Sequence, residues 1–66
     1  MNGSEKTFIT LAQFLKKAGI AATGGQAKYL VKELSITVNG EKEDRRGRKL
    51  YSGDEVVIEG RKYTIE

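Results

Sequence analysis

The spacing of apolar residues changes once along the chain, from a helical period to a strand period. Two sets of apolar residues follow the i, i+3, i+4, i+7 spacing of an amphipathic helix. They are Leu11, Phe14, Leu15 and Ala18, and then Ala27, Leu30, Val31 and Leu34. After Leu34, apolar and polar residues alternate, which is typical of half-buried strands. The pattern predicts two helices followed by a small sheet.

Each predicted helix begins with the same capping signal. Thr10 and Gln13 stand three residues apart before the first apolar set, and Thr23 and Gln26 do so before the second. In a capping box the threonine side chain accepts a hydrogen bond from the third helical N–H, and the glutamine reaches back to the threonine N–H. We therefore expect helices that begin after Thr10 and after Thr23.

Glycine-containing turns mark the ends of the other elements. Gly19 is placed to end the first helix in a left-handed conformation. Asn39 and Gly40 both tolerate positive φ and predict a tight hairpin. Further turns are expected at Gly53-Asp54 and near Glu59-Gly60. The predicted fold class is α+β, with two helices packed on a small, mostly antiparallel sheet of about four to five short strands.

The 66 residues are enough for one domain, which we assign to residues 7–66. The polar residues 1–6 read as a disordered or tag-like lead. No apolar run approaches the length of a transmembrane helix, and the first residues do not resemble a signal peptide. Since cysteine is also absent, we expect a cytoplasmic protein that does not bind membranes.

The composition excludes most catalytic chemistry. Histidine, the commonest general base near neutral pH, is absent, and so is cysteine, the thiolate nucleophile and soft metal ligand. We therefore expect no enzymatic activity, no metal, no cofactor and no small-molecule substrate. The remaining classes are a binding module, a structural piece or an adaptor.

The net charge of +3 and pI near 9.3 favour a polyanionic partner, and the cations cluster. The start of the second helix, Thr23-Gly24-Gly25, can present backbone N–H groups to a phosphate. Alternatively, the two glycines only permit a tight turn or close helix packing.

On the outer face of this helix, Lys28 and Lys32 flank Tyr29, whose ring could stack on a base. The alternative is a solvated face with Tyr29 packed on a neighbouring element.

The third cluster lies in a loop between strand signals, and its cations are Arg45, Arg46, Arg48 and Lys49. Guanidinium groups suit forked contacts to phosphate. The alternative is a solvated charge run neutralised by the preceding acids, which are Glu41, Glu43 and Asp44. Together the three clusters favour a nucleic-acid-binding surface.

The ordered motifs TGGQAK, VNG, RRGRKL and GD, preceded by a helix, resemble the S-four (S4) RNA-binding domain over about residues 8–58. That family shares a two-helix alpha-L motif packed on a small sheet, and it occurs in ribosomal proteins, pseudouridine synthases, tyrosyl-tRNA synthetases and a heat-shock ribosome-rescue protein. The chain looks most similar to the small stand-alone bacterial members. The resemblance implies binding of structured RNA, with ribosomal RNA as the expected target, in ribosome assembly or rescue.

Carried over by position, the resemblance assigns RNA contacts to the residues already singled out. These are Thr23, Gly24, Gly25, Lys28, Tyr29, Lys32, Arg45, Arg46, Arg48 and Lys49. Many family members have an arginine where this chain has Gly24, so we expect recognition of RNA shape more than of bases. The VNG and GD motifs are expected to be turn formers.

Two other functions remain open from the sequence. The first is a protein-interaction module that docks a ribosomal protein or enzyme on an exposed sheet edge. The second is a DNA-binding accessory protein. In each case we expect a monomer.

Overall fold

A computed structural model describes residues 7–66, and over this range the chain forms two helices and six strands. The predicted lead at residues 1–6 lies outside the described residues. In chain order the elements are β1 (Phe8–Thr10), α1 (Leu11–Lys17), α2 (Gly24–Glu33), β2 (Ile36–Val38), β3 (Glu41–Lys42), β4 (Lys49–Tyr51), β5 (Glu55–Ile58) and β6 (Arg61–Thr64). The predicted α+β class is confirmed.

The capping box of α1 is complete. The Gln13 N–H donates to Thr10 Oγ1 at 3.2 Å, and the Thr10 N–H donates to Gln13 Oε1 at 2.8 Å. The helix is followed by Gly19 at φ +78°, the left-handed conformation predicted there. The assignment of Ala18 to the apolar face was wrong: it is the C-cap residue and is exposed, because α1 ends before this position completes the buried stripe.

The cap of α2 follows the prediction only in part. The Gln26 N–H donates to Thr23 Oγ1 at 3.1 Å, as expected. Gln26 Oε1, however, accepts from the N–H of Ala22 rather than from that of Thr23. The glutamine therefore ties the helix to the preceding linker. The helix buries Ala27 and Val31 and packs against α1.

The strands form two antiparallel sheets, which are the expected small sheet, with four strands, and a separate two-stranded ribbon that the sequence did not predict. Strands β3, β2, β5 and β6 lie side by side in that order, while β1 pairs with β4 as a separate ribbon. The ribbon forms because the charged stretch after β3 returns the chain to its N-terminal strand, a pairing that local periodicity does not reveal. The predicted hairpin turn lies between β2 and β3, with Asn39 at φ 51° and Gly40 at φ 87°.

Within the described residues, one hydrophobic core lies between the helix pair and the two sheets. Among its members, Leu11 and Leu15 come from α1, Val31 from α2, and Ile36 and Leu50 from the sheets, and all five are at most 1% exposed. Leu50 is the residue by which the chain re-enters the core after the charged stretch. The core therefore fixes α2 and the loop before β4 relative to each other.

Candidate nucleic-acid interface

The first turn of α2 is open to solvent. A Cβ atom at Gly24 would meet no other heavy atom within 4 Å, and one at Gly25 would meet only Thr23 Oγ1, at 4.0 Å. Neither glycine has positive φ. Close packing and unusual backbone conformation therefore do not explain this glycine pair. Within residues 7–66 their backbone N–H groups have no protein acceptor, which leaves them available to an anion.

The outer face of α2 carries two cations and an aromatic ring. Lys28, Tyr29 and Lys32 are all exposed, and Tyr29 keeps 63% of its surface accessible. The alternative in which Tyr29 packs on a neighbouring element was therefore wrong. Lys28 and Lys32 have no carboxylate within 4.0 Å in the described part of the chain.

The loop of residues 43–48 is fixed by its backbone to the first turn of α1. The N–H of Leu11 donates to the carbonyl of Arg48 at 2.8 Å, and the N–H of Ala12 donates to that of Arg46 at 3.0 Å. The first N–H groups of a helix lack partners within the helix, so these bonds satisfy two of them. A turn closed by the Arg48 N–H and the Arg45 carbonyl, at 3.2 Å, tightens the loop further.

A buried carboxylate organises the arginines of this loop. Glu43 is 5% exposed, and its Oε2 accepts from the backbone N–H and the Nε of Arg45 at 3.0 and 2.9 Å. Its Oε1 accepts from Arg45 Nη2 at 3.2 Å and from Arg48 Nη1 at 2.8 Å. The hydrogen bonds from Arg45, helped by Arg48, outweigh burial and lower the pKa of Glu43 from 4.5 to about 2.

The loop is therefore neither a row of three equivalent free arginines nor a run neutralised by all three neighbouring acids. Glu43 pairs with Arg45 and Arg48, whereas Glu41 and Asp44 form no ion pair within residues 7–66. Arg46 likewise has no carboxylate partner in that range. The side chain of Arg45 is 73% exposed, so it can contact a ligand while it is paired with Glu43. The side chain of Arg48 is only 29% exposed.

The fold brings the two predicted basic segments together at one open cleft, which we call the α2–loop cleft. It is lined by Lys28, Val31, Lys32, Asp44, Arg45, Arg46 and Gly47. Lys28 and Lys32 come from α2, and Arg45 and Arg46 come from a segment more than a dozen residues later. Four cations against one lining acid make this cleft suited to a phosphate chain.

Of the four predicted loop cations, two lie outside the lining of the α2–loop cleft, as do Thr23, Gly24, Gly25 and Tyr29 of α2 and its cap. Arg48 and Lys49 line the opposite side of the loop, near Asn39 and Tyr51. The ammonium of Lys49 stands 5.0 Å from the centre of the Phe8 ring. The sequence analysis therefore grouped four cations in one cluster, whereas in the structure Arg46 lines the α2–loop cleft and Arg48 and Lys49 line a second pocket beside the loop.

Sequence reasoning missed the role of Glu43, which was considered only as one of several neutralising acids. The spacing does contain a signal, because Glu43 precedes arginines at i+2 and i+5 and follows a strand. Sequence reasoning also did not single out Phe8 as a surface residue. Phe8 is 45% exposed.

Two further findings concern ligands and membranes. Across residues 7–66, no group of three or more acidic side chains is placed to hold a metal ion. In the same range, neither helix combines the length and the apolar character needed to cross a membrane.

Comparison with known proteins identifies the family. The S4 domain matches residues 3–66. The chain is 56% identical over 52 residues to the probable ribosome maturation protein RlbA of Bacillus subtilis (strain 168), an alignment that covers 79% of this chain and 73% of that protein. No solved structure matches the chain. With a family match over nearly its whole length and a relative of this similarity, the chain belongs to the S4 domain family.

Proposed function

We propose that this protein binds structured RNA, specifically ribosomal RNA, through the α2–loop cleft, and that it assists ribosome maturation without catalysing a reaction. The observation that carries the proposal is the convergence of Lys28 and Lys32 with Arg45 and Arg46 at one cleft. The similarity to a Bacillus protein named for ribosome maturation supports ribosomal RNA as the proposed ligand. We propose that the protein acts as a monomer in the cytoplasm.

The charges on α2 are better explained by a ligand than by helix stability. Like charges four residues apart on a helix, as at Lys28 and Lys32, destabilise it by a few tenths of a kcal/mol. A phosphate placed between α2 and the loop would attract both lysines, which would outweigh their mutual repulsion, and it would also attract Arg46. The cleft would then hold the backbone of a folded RNA, with the exposed face of Arg45 at its border.

The start of α2 adds a second kind of contact. The free N–H groups of Gly24 and Gly25 can donate to a phosphate that approaches closely, because no side chain stands in the way. Thr23 holds the helix end in place through its cap. Backbone contacts to phosphate position an RNA without reading its bases, so the expected specificity is for RNA shape, with Tyr29 available to stack on an unpaired base.

The test is a fluorescence-anisotropy titration with a structured ribosomal RNA fragment and a DNA duplex of equal phosphate number, each over a salt series. We expect tighter binding to the RNA and a log–log slope that reports the number of phosphate contacts at roughly 0.7–0.9 per contact. Changing Lys28 and Lys32 to glutamine should reduce both affinity and slope. The matched control changes two exposed lysines of α1, Lys16 and Lys17, and should alter both much less.

Other outcomes would decide between the competing functions. Equal affinity for RNA and duplex DNA, lost together in the α2 variant, would support a DNA-binding accessory protein. Absence of binding to either nucleic acid would refute the proposal and favour a protein-interaction module. Equal losses in the α2 variant and the α1 control would show that net charge, not the cleft, governs binding.

A further inference from the structure

The ribbon formed by β1 and β4 has an outer face that the α2–loop cleft does not include. The register pairs Phe8 with Tyr51, Ile9 with Leu50 and Thr10 with Lys49. Successive side chains of a strand point to opposite faces. Ile9 and Leu50 face the core, so Phe8, Tyr51 and Lys49 lie on the other face.

This outer face combines exposed aromatic surface with an available cation. The rings of Phe8 and Tyr51 have centroids 5.9 Å apart at an interplanar angle of 55°. Phe8 is 45% exposed, and the Lys49 ammonium lies 5.0 Å from its ring centre. Lys49 has no carboxylate within 4.0 Å among residues 7–66. The cation therefore rests against an aromatic ring, a contact that is weak at an exposed site and that a ligand can replace.

The outer face also continues the proposed RNA surface. Arg45 and Gly47 line both the α2–loop cleft and the opposite side of the loop, where Arg48, Lys49 and Tyr51 follow. A phosphate chain that leaves the cleft across Gly47, which has no side chain to obstruct it, therefore meets Lys49 and then the two rings. Along this path the lining cations Arg45, Arg48 and Lys49 outnumber the one acid, Asp54, on the far side of the loop.

We infer that the outer face of the β1–β4 ribbon is a stacking site for an unpaired nucleotide that flanks the folded part of a bound RNA. The base would stack on Phe8 beside Tyr51, and the ammonium of Lys49 would contact the adjacent phosphate. Aromatic rings joined to a cationic track are the usual means of binding single-stranded nucleic acid, because every base has a stacking face. The inference rests on the proposed function for the folded part of the RNA.

The test compares one ribosomal RNA stem-loop with the same stem-loop carrying a five-nucleotide single-stranded extension at its 5′ or 3′ end. In the wild-type protein, at least one extension should tighten binding by about fivefold or more. The variant F8L should lose this gain and keep the affinity for the plain stem-loop, whereas F8Y, which retains the ring, should preserve the gain. K49Q should reduce the gain with the aromatic rings intact.

The inference is overturned if neither extension tightens wild-type binding, or if the gain survives in F8L. Circular dichroism of each variant establishes that it is folded, and K49Q provides the same test should F8L fail to fold. If the plain stem-loop does not bind, the proposed function fails separately. In that case, titration with the five-nucleotide single strand alone tests the stacking site. Binding that depends on Phe8 supports the stacking site, and lack of binding refutes it.

Discussion

The carboxylate of Glu43 should be a major source of stability in this small domain, and E43Q is the perturbation that tests it. Glu43 is buried and accepts four hydrogen bonds from Arg45 and Arg48. Glutamine has nearly the same shape but no charge, so the variant removes the ion pairs without leaving a cavity. We expect the folded state to lose free energy relative to the unfolded state.

The magnitude follows from the pKa of Glu43, which pairing lowers from 4.5 to about 2. Each pH unit corresponds to about 1.36 kcal/mol, so a difference of about 2.5 units gives an upper value near 3.4 kcal/mol. Water reaches Arg45, whose side chain is 73% exposed, and screens its share of the interaction. We therefore expect E43Q to lower the free energy of unfolding by about 2 kcal/mol at pH 7.

The change in the pKa of Glu43 on folding also predicts how the stability difference between wild type and E43Q varies with pH. The pKa of Glu43 is lower in the folded state than in the unfolded state, so its ionised form stabilises the fold at any pH above about 4.5. This contribution is lost as the pH falls from about 4.5 towards about 2. The stabilities of the wild type and E43Q should therefore converge over that window.

The assay is urea denaturation followed by circular dichroism at pH 7, 4.5, 3 and 2. With a slope of about 1 kcal/mol per molar urea, typical of the smallest domains, the midpoints should differ by roughly 2 M at pH 7. The matched control is E41Q, an exposed neighbour, which should change stability by no more than about 0.5 kcal/mol. A gap that is absent at pH 7, or that stays constant down to pH 2, would refute the assignment of stability to these ion pairs.

Three further predictions follow from the same structure. R46A should reduce the salt slope of RNA binding by roughly 0.7–0.9 with little effect on stability in urea. R48A should instead destabilise the fold by about 1–3 kcal/mol, because it removes a partner of buried Glu43. The reverse pattern would contradict the assignment of Arg46 to RNA binding and of Arg48 to stability. Y29A should weaken RNA binding and leave the melting temperature unchanged, and a large drop in that temperature would show a packing role. G40A should destabilise the fold by about 1–2 kcal/mol in urea denaturation, since alanine is strained at φ 87°, and an unchanged midpoint would show that the turn relaxes.

The local signals of the sequence predicted the helices and turns well. The Thr10 and Thr23 caps, Gly19 at a helix end and the Asn39-Gly40 hairpin all depend on neighbours in the chain, so nearby residues suffice to reveal them. The same holds for the alternation that predicted buried Ile36 and Val38. The resemblance to the S4 domain rested on these ordered motifs and is confirmed.

Features that depend on contacts between distant parts of the chain could not be predicted from the sequence. The pairing of β1 with β4 requires the chain to return over some forty residues, and no periodicity records that partner. The same return places the carbonyls of Arg46 and Arg48 on the first turn of α1. Which arginines remain available then depends on Glu43, whose burial follows from the tertiary fold.

The contribution of each candidate site residue to RNA binding remains a prediction, although their placement is now defined. The structure supports a joint role for Lys28, Lys32, Arg45 and Arg46 at one cleft. It assigns Lys49 to the adjoining ribbon face beside Phe8. The proposed RNA path therefore crosses the loop, whereas the sequence analysis had treated Arg45, Arg46, Arg48 and Lys49 as one cluster.

The central claim is that α2 and the loop contact the same RNA, and an NMR titration of the 15N-labelled protein with a structured ribosomal RNA fragment tests it most directly. We predict that backbone amide signals of residues 23–32 and 45–49 shift together, with one common dissociation constant. Signals of the edge strand β6 should remain nearly unchanged. Shifts confined to β6, or shifts of α2 without the loop, would contradict the account.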